Sequence, residues 1–235
     1  MHYRCQSASE MSPQQLWALA RYRHQVFVQR LGWQLGDDQA QVELDQFDHP
    51  ETVHLVAEDD SGRVAGCARL LPTTGAYLLG EVFAELLNGV AVPNSAQIWE
   101  LSRFACGIPN ETDRTGTVKR LAEQLLLQAL QFCKTCGVHQ LLAVTTPAVE
   151  RIMRRAQVEV QRLGPPVIHE GEAILACVIA VNERSMQALA ACAGLTGGSA
   201  ADVQTPDATS ASGSAAEVPG DMTPRHCAAA LAHAA

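Results

Sequence analysis

The sequence predicts an α/β protein in which a mixed β-sheet carries helices on both faces. The first observation is that strand-like apolar segments alternate with helix-like segments over the second half of the chain. The second is a hairpin pattern that precedes this alternation. The third is the segment 173–181, which is apolar throughout and suits a strand buried on both faces of a sheet. A composition of 47% hydrophobic and 18% charged residues excludes a wholly disordered or fibrous chain.

The first predicted element is a helix over residues 13–31. Ser12 is placed to cap this helix, Pro13 suits its first position, and Gln15 completes a capping-box pattern. Gly32 marks its end, because glycine is favoured just beyond the last helical residue.

The remaining predicted elements lead to the end of one domain. The strands are 52–57 and 63–71, joined by a turn at 59–62, and then 98–106, 140–145 and 173–181. The helices are 81–88, 116–135, 148–156 and 182–193. Beyond residue 195 the chain is mostly small and polar and has few large apolar residues to bury. We therefore expect one domain over residues 1–195 and a flexible tail rich in Ala, Gly, Ser and Pro over residues 196–235.

The composition also disfavours several classes of partner and site. The formal net charge of −8 disfavours nucleic-acid binding. The N-terminus lacks the apolar stretch of a signal peptide, and the longest apolar run, 173–181, is too short to span a bilayer. We therefore expect a cytoplasmic protein without a membrane span, whose eight cysteines are reduced. Cys133 and Cys136 form a C-x-x-C pair without the second pair of a structural zinc site, so no metal is predicted.

Charged residues occur at positions where burial makes charge costly. Glu100 and Arg103 lie within the apolar strand 98–106, and Arg69 lies in the strand before it. The acidic residues Asp45 and Asp48 precede them in a loop that can bring carboxylates to these arginines and to Arg23. Two Asp, one Glu and three Arg balance in charge, which is the condition for burying them together. A solvent-facing strand edge and a solvated acidic loop remain as alternatives.

In order along the chain, these residues form a specific pattern. It consists of Arg23-x3-Phe27-x5-Trp33, then Asp45-x2-Asp48, Arg69 in Gly-Cys-Ala-Arg-Leu-Leu-Pro-Thr, and Glu100-x2-Arg103 in Trp-Glu-Leu-Ser-Arg-Phe. From about residue 18 to residue 187 the chain resembles the LuxI-type acyl-homoserine-lactone synthases, which make the autoinducers of bacterial quorum sensing. The resemblance implies a three-layer α/β/α fold like that of the acyl-CoA N-acyltransferases. It also implies an acyltransferase that joins an acyl group from acyl carrier protein to the amine of S-adenosylmethionine and closes the lactone, releasing methylthioadenosine.

This resemblance implies roles for the residues of the pattern. It implies no cofactor, because S-adenosylmethionine is a substrate. Glu100 is the candidate base that takes a proton from the amine, directly or through water, and Arg103 is the second catalytic candidate. The other candidates bind S-adenosylmethionine and complete the charged cluster: Arg23, Phe27, Trp33, Asp45, Asp48, Arg69 and Phe104. Phe27 and Trp33 offer faces for the adenine and the sulfonium, with plain core aromatics as the alternative. Residues three apart on a regular strand point to opposite faces, so a β-bulge is predicted near residues 101–102 to bring Glu100 and Arg103 together. The alternative is that Arg103 supports the site from behind.

The resemblance further implies an apolar channel for the acyl chain and a basic surface for the carrier protein. Candidate channel residues, which ordinary core packing would also explain, are Leu101, Leu142, Val144, Thr145, Met153 and Cys177, with Phe104 beside them. The hydroxyl of Thr145 can bond a 3-oxo group. Candidate docking residues, which a solvated face would also explain, are Lys119, Arg120, Arg151, Arg154 and Arg155.

Two other functions stay open at this point. One is an N-acyltransferase of the same superfold that uses acyl-CoA on another amine, although the residues before helix 116–135 lack the full glycine spacing of a pyrophosphate loop. The other is a non-catalytic sensor whose charged cluster binds a metabolite.

Overall fold

The computed structural model describes residues 1–35, 39–109, 111, 116–169 and 171–194, and the predicted tail lies outside these residues. The strands are β1 (His2–Ser7), β2 (Val53–Glu58), β3 (Val64–Pro72), β4 (Ile98–Cys106), β5 (Gln140–Thr145), β6 (Val160–Arg162), β7 (Val167–His169) and β8 (Glu172–Ala180). The helices are α1 (Pro13–Arg23), α2 (Leu78–Glu81), α3 (Thr117–Thr135), α4 (Pro147–Arg155) and α5 (Glu183–Cys192). A π-helical segment (His24–Arg30) follows α1, and short 3-10 helices form at Ala8–Glu10 and Ala84–Leu87.

The strands form one mixed sheet in the order β1-β2-β3-β4-β5-β8-β6, with β7 pairing with β8. The pairs are antiparallel except for β4 and β5, which run parallel. Helices α3 and α5 pack on one face, and α1 with the segments around residues 47 and 77–87 packs on the other. The predicted mixed α/β fold is therefore confirmed.

Most element boundaries agree with the sequence-based predictions. Strands β4 and β5 have the predicted bounds, and β2, β3, β8, α3, α4 and α5 agree to within one residue. Strands β1, β6 and β7 were not predicted, because β1 is largely polar and β6 and β7 have three residues each. They become strands by pairing with β2 and β8. The single helix predicted over 81–88 is wrong, since the chain forms α2 at 78–81 and then a 3-10 turn at 84–87.

The first helix begins as predicted and ends differently. Ser12 Oγ accepts from the backbone N–H of Gln15 at 3.3 Å, and Gln15 Oε1 accepts from the Ser12 N–H at 2.8 Å, which completes the capping box. The α-helix gives way at His24 to wider turns, in which the N–H of Leu31 donates to the carbonyl of Val26. Such π-helical turns are rare and occur often at functional sites.

A β-bulge interrupts the pairing of β3 with β4. Cys67 lies opposite Ala105 and Arg69 opposite Ser102, so the single residue between the first pair faces Arg103 and Phe104 together. Arg103 has a φ of 51°, a left-handed conformation that a non-glycine residue rarely adopts. The predicted bulge in β4 is therefore present, and it lies at 103–104, two residues beyond the predicted neighbourhood of 101–102, because the register against β3 decides where the extra residue falls.

Strands β4 and β5 pair over only part of their length. The paired residues run from Ile98 with Gln140 to Glu100 with Leu142, although both strands continue beyond these residues. After Glu100 the described part of β4 pairs with β3 alone, and β5 pairs with β8. The two strands thus part after Glu100, and a cavity opens between them.

Candidate active site

Six ionic side chains, four of them buried and two partly buried, form a network on the α1 side of the sheet. Arg23 donates from Nε to Glu43 at 2.6 Å and from its two terminal nitrogens to Asp48 at 2.8 and 3.0 Å. Arg103 donates to Glu43 at 3.0 Å and to Asp45 at 2.6 Å. Glu43 thus links Arg23 to Arg103. The planar guanidinium group carries several N–H donors, and this geometry favours such paired contacts with carboxylates.

Arg69 joins this network to β4. Its Nη1 donates to Asp45 at 2.6 Å and lies 3.2 Å from Asp48, while its Nε donates to Ser102 at 3.1 Å. Its guanidinium carbon also lies 5.5 Å from the centre of the Phe47 ring. The strand and the acidic loop are therefore fixed to each other by a fully buried arginine.

The acid that completes the charge balance is Glu43 rather than Glu100. Three arginines face Glu43, Asp45 and Asp48, whereas Glu100 makes no ion pair in the described part of the chain. Glu43 is fully buried, and the sequence analysis missed it as a site residue. The sequence feature that could have identified Glu43 is its i, i+2 spacing from Asp45, which places both carboxylates on one side of an extended segment.

The network holds two of its acids, Glu43 and Asp48, ionised. Burial opposes the charge of Glu43, but Arg23 and Arg103 outweigh it and lower the pKa of Glu43 to about 2. Burial likewise opposes ionisation of Asp48, and Arg23 and Arg69 hold its pKa well below the usual range. Glu43 and Asp48 therefore stay ionised at neutral pH.

His54 is a buried neighbour of the network that was not predicted. It lies opposite Arg69 in the β2–β3 register, and its Nε2 is 3.9 Å from Asp48 Oδ1. Burial lowers the pKa of His54 to about 4, and Arg23 and Arg69 act in the same direction while Asp48 opposes them. His54 is therefore neutral at neutral pH and leaves the charge balance unchanged.

Glu100 lies beside this network in an environment of its own. It is buried, and its carboxylate accepts from the backbone N–H groups of Leu78 at 3.2 Å and Leu79 at 2.6 Å. Burial raises the pKa of Glu100 above the usual value, although these N–H groups and Arg69 act against the shift. A carboxylate with a raised pKa is suited to accept a proton.

The bulge brings Glu100 and Arg103 to the same cavity. Both line it, together with Ser102 and the aromatic ring of Trp33. Because the extra residue at 103–104 changes the alternation of β4, Arg103 turns toward Glu43 and Asp45 on the face where Glu100 lies. Glu100 and Arg103 therefore line one cavity, as a shared site requires.

Two aromatic rings stack beside Arg103. The centres of Phe27 and Trp33 are 4.9 Å apart with 20° between their planes, and the guanidinium carbon of Arg103 lies 5.7 and 5.6 Å from the two centres. Trp33 lines the cavity, and its buried indole N–H has no hydrogen-bond partner in the described part of the chain. Phe27 is fully buried behind it and is not among the lining residues.

The cavity between β4 and β5 has a volume of about 140 Å³ and mostly apolar walls. Of the predicted channel residues, Leu101, Val144, Thr145 and Met153 line it. Further lining residues that the sequence analysis did not foresee include Ala122, Glu123, Leu126, Ile152, Ile179 and Leu189. The Oγ1 of Thr145 is buried and has no partner among the described residues.

Two predicted channel residues, Leu142 and Cys177, lie elsewhere than expected. Leu142 packs in the core with Phe83 and its neighbours and does not line the cavity. Cys177 is fully buried between Ala143 of β5 and Arg162 of β6, away from the opening between β4 and β5. Phe104, predicted both with the charged cluster and beside the channel residues, lines the cavity, because the residue after the bulge points away from Arg103 and packs on the α3 side.

The predicted docking residues are all exposed on the two helices that flank the cavity. Lys119 is 3.8 Å from Glu123, and Arg154 donates to the buried Glu150 at 2.8 Å. Glu150 also accepts from Arg162, which ties α4 to β6. Within the described ranges, Arg120, Arg151 and Arg155 have no ion pair and leave their charge on the surface.

The described residue ranges contain no group of three or more His, Cys, Asp and Glu side chains arranged to hold a metal ion. They also contain no helix that is long and apolar enough to cross a bilayer.

Comparison with known proteins gives the same family at the level of sequence and of structure. Residues 7–189 match the sequence model described as autoinducer synthase. The chain is 42% identical over 163 residues to the acyl-homoserine-lactone synthase of Acinetobacter nosocomialis, which covers 68% of this chain and 88% of that protein. It is 42% identical over 173 residues to the acyl-homoserine-lactone synthase of Ralstonia solanacearum, covering 73% of this chain and 85% of that protein.

Solved structures extend this comparison. The crystal structure of TofI in a ternary complex with an inhibitor and MTA is 37% identical, covers 80% of this chain and 96% of its own, and has a TM-score of 0.71. The CoA-dependent acyl-homoserine lactone synthase BjaI, with SAM and isopentyl-CoA, is 27% identical, covers 82% and 89%, and has a TM-score of 0.73. An acyl-CoA N-acyltransferase from Pseudomonas aeruginosa shares the fold alone, at 17% identity and a TM-score of 0.52.

Proposed function

The chain belongs to the autoinducer synthase family, and from that premise we propose that it acylates S-adenosylmethionine with an acyl group from acyl carrier protein. The product is then lactonised to N-acyl-L-homoserine lactone, and methylthioadenosine is released. The chain is thus an acyltransferase, as its curated relatives are. One observation carries the assignment of the site: Glu100, a buried carboxylate with a raised pKa, lies where an ionic network meets an apolar cavity.

The first chemical step needs a base. The amine of S-adenosylmethionine is protonated at neutral pH, so Glu100 removes a proton, directly or through water, before the amine attacks. The nitrogen lone pair forms a bond to the thioester carbonyl carbon, the carbon–sulfur bond of the thioester breaks, and the departing thiolate takes up a proton. The carboxylate of the methionine part then attacks the carbon next to the sulfonium, and methylthioadenosine leaves as a neutral thioether.

The acceptor pocket is proposed to lie between the network and the Trp33 ring. Arg103 and the carboxylates of Asp45 and Asp48 fix the amino-acid end, while the stacked rings of Phe27 and Trp33 face the adenine or the sulfonium. A network that is already neutral and paired needs no rearrangement when a charged substrate arrives. The reaction needs no separate cofactor, because the substrate itself carries the leaving group.

The acyl carrier protein is proposed as the donor because exposed basic side chains flank the cavity. A carrier protein is acidic, and unpaired charges such as those of Arg151 and Arg155 attract an acidic surface. The proposal places the enzyme in the cytoplasm, where carrier protein and S-adenosylmethionine are present together. An acyl-CoA donor is the second candidate, favoured by the likeness to the CoA-dependent BjaI.

The donor is tested by giving the purified full chain S-adenosylmethionine with octanoyl carrier protein or octanoyl-CoA. Methylthioadenosine release and the mass of the lactone product are measured for both donors. We expect release only when both substrates are present, with a kcat/KM at least about tenfold higher for the carrier protein, the size of a modest specificity difference. A preference for octanoyl-CoA would favour the second candidate. Binding of S-adenosylmethionine without turnover on either donor would favour a sensor and contradict the enzyme proposal.

A further inference from the structure

The carboxylate of Glu100 is held by a segment that lies some twenty residues before it in the chain. The backbone N–H of Leu78 donates to one of its oxygens at 3.2 Å, and the N–H of Leu79 donates to the other at 2.6 Å. These are the first two N–H groups of α2, and the first N–H groups of a helix have no partner within it. Tyr77, the residue before α2, makes no side-chain cap. The position of Glu100 therefore depends on where the start of α2 lies.

The ring of Tyr77 lies directly against the backbone of Gly80 in α2. A Cβ added at Gly80 would be 2.8 Å from Cζ and 2.9 Å from Cε1 of Tyr77. Carbon atoms that are not bonded prefer about 3.5–4.0 Å, so the two cannot coexist without a displacement. Gly80 is not among the glycines with positive φ, so its backbone conformation alone would accept an alanine. Glycine is therefore needed here to make room for the ring.

The ring of Tyr77 cannot move aside without losing other contacts. Tyr77 is 3% exposed, and its hydroxyl donates to the carbonyl of Pro93 at 2.7 Å. The segment that contains Pro93 is bonded to the residue after β3, because Thr73 Oγ1 donates to the carbonyl of Ser95 and accepts from the N–H of Ser95, each at 3.0 Å. The ring, Gly80 and this segment thus form one support for the start of α2.

The ionisation of Glu100 is sensitive to the two N–H groups. Burial raises the pKa of Glu100, and these N–H groups and the charge of Arg69 oppose the rise. Loss of the N–H bonds therefore raises the pKa of Glu100 further. In the described part of the chain, the other charged or titratable side chains that face Glu100 or line its cavity are Tyr77, Arg103, Lys119 and Glu123. Of these only Glu123 titrates in the acidic range, so a test has to assign the acidic limb of activity to one of two carboxylates.

We propose that Tyr77 and Gly80 are positioning residues for the base: the Tyr77 ring, seated on Gly80 and bonded to Pro93, fixes the two N–H groups that hold the carboxylate of Glu100. Each carboxylate oxygen accepts one N–H and keeps a further lone pair for the proton of the amine. The same N–H groups favour the ionised carboxylate before the amine arrives. The inference rests on the proposed role of Glu100 and adds the residues that set its place and its ionisation.

The experiment measures methylthioadenosine release by the full-length chain from S-adenosylmethionine and octanoyl carrier protein as a function of pH. In Gly80→Ala the added methyl displaces the ring and, with it, the N–H groups. We expect kcat to fall at least about tenfold while the KM for S-adenosylmethionine changes less than about threefold, because a misplaced reacting group slows the chemical step. The acidic limb of kcat/KM should rise by about one pH unit or more, as the loss of one hydrogen bond to a charged group implies.

A second variant keeps the ring in place. Tyr77→Phe removes only the hydrogen bond to Pro93, so it supplies the measurement even if Gly80→Ala folds poorly. The limb should move in the same direction by about half a pH unit, the lower part of the range for one neutral hydrogen bond. The limb is assigned with Glu100→Gln, whose residual activity should lack it.

Two matched controls make the same changes away from this support. Gly75→Ala alters a glycine of the loop before α2, where an added Cβ would meet only the carbonyl of Pro72, at 4.0 Å. Tyr3→Phe removes the hydrogen bond from a tyrosine hydroxyl of β1 to Gln124. Neither control should move the acidic limb.

The position of the limb separates positioning from a purely structural role, because it does not depend on how much of the protein is folded. A lower rate with an unmoved limb in Gly80→Ala or Tyr77→Phe overturns the inference, and so does a control that moves the limb equally. A limb that persists in Glu100→Gln belongs to another group and also overturns it. Release of no methylthioadenosine by the unmodified chain contradicts the enzyme proposal itself.

Discussion

Replacement of Glu43 by glutamine is expected to lower the free energy of unfolding by about 3–5 kcal/mol, the usual cost of removing one member of a buried ionic network. The structure shows why the cost is large. Glu43 accepts from Arg23 at 2.6 Å and from Arg103 at 3.0 Å, and no water can replace it at a fully buried position. Each lost contact to a charged group is worth about 1.5–3 kcal/mol, and the amide oxygen of glutamine restores part of one of them.

The measurement is urea unfolding at neutral pH followed by the fluorescence of the three tryptophans, one of which is Trp33 beside Arg103. The matched control is Arg184→Gln, which breaks an exposed pair with Glu159 and is expected to cost less than about 1 kcal/mol. A loss below 1 kcal/mol for Glu43→Gln would refute the account of the network as a set of coupled buried charges.

The pH dependence of the difference in unfolding free energy between the unmodified chain and Glu43→Gln supplies a second check. The pKa of Glu43 is lowered from 4.5 to about 2 in the folded protein, so its ionised form stabilises the fold above its ordinary pKa. This stabilisation is lost as the pH falls through the folded pKa. The gap between the unmodified chain and Glu43→Gln is therefore expected to narrow as the pH falls from 4.5 toward 2, and a constant gap would contradict the assigned charge state.

Four further predictions concern the reaction. Glu100→Gln should lower kcat at least about 100-fold in methylthioadenosine release, as loss of a general base does, and near-normal turnover would remove Glu100 from that role. Because burial raises the pKa of Glu100, the acidic limb of the pH profile of kcat/KM should titrate above about 4.3; a limb at or below that value would contradict the role. Ala122→Leu should narrow the cavity and reduce kcat/KM for an octanoyl donor at least about tenfold more than for a butanoyl donor, whereas equal losses would place the chain elsewhere. The double variant Arg151→Glu with Arg155→Glu should raise the KM for carrier protein at low salt with little change in kcat, and the control Arg184→Glu on α5 should not.

The sequence was sufficient for the strands that carry their own signal. Strands β4 and β5 have mainly apolar residues and are bounded by turn residues, and their predicted bounds match the structure. Strands β6 and β7 have three residues each and form by pairing with two different parts of β8. No local pattern distinguishes such segments from loops, since the pairing partner lies elsewhere in the chain.

The candidate site was likewise predicted in part from the sequence. The pattern of charged residues indicated that arginines and acids meet, and the structure brings Arg23, Arg69 and Arg103 together with Asp45 and Asp48. The choice of Glu43 as the sixth member depends on how the loop packs, which residue types do not encode. Likewise, alternation along β4 required a bulge, but only the register against β3 determines that it lies at residues 103–104.

The short stretch of β4 from Leu101 to Phe104 has a consequence for how such an enzyme can change over evolutionary time. Leu101 and Phe104 line the apolar cavity, while Ser102 and Arg103 bond to the ionic network. Selection on donor preference can act through α3, α4 and β5 without disturbing the acceptor pocket, whereas a mutation in these four residues alters both traits at once. We therefore expect lineages to diversify their signal molecules through the helices and β5, while β4 stays under joint constraint from both substrates.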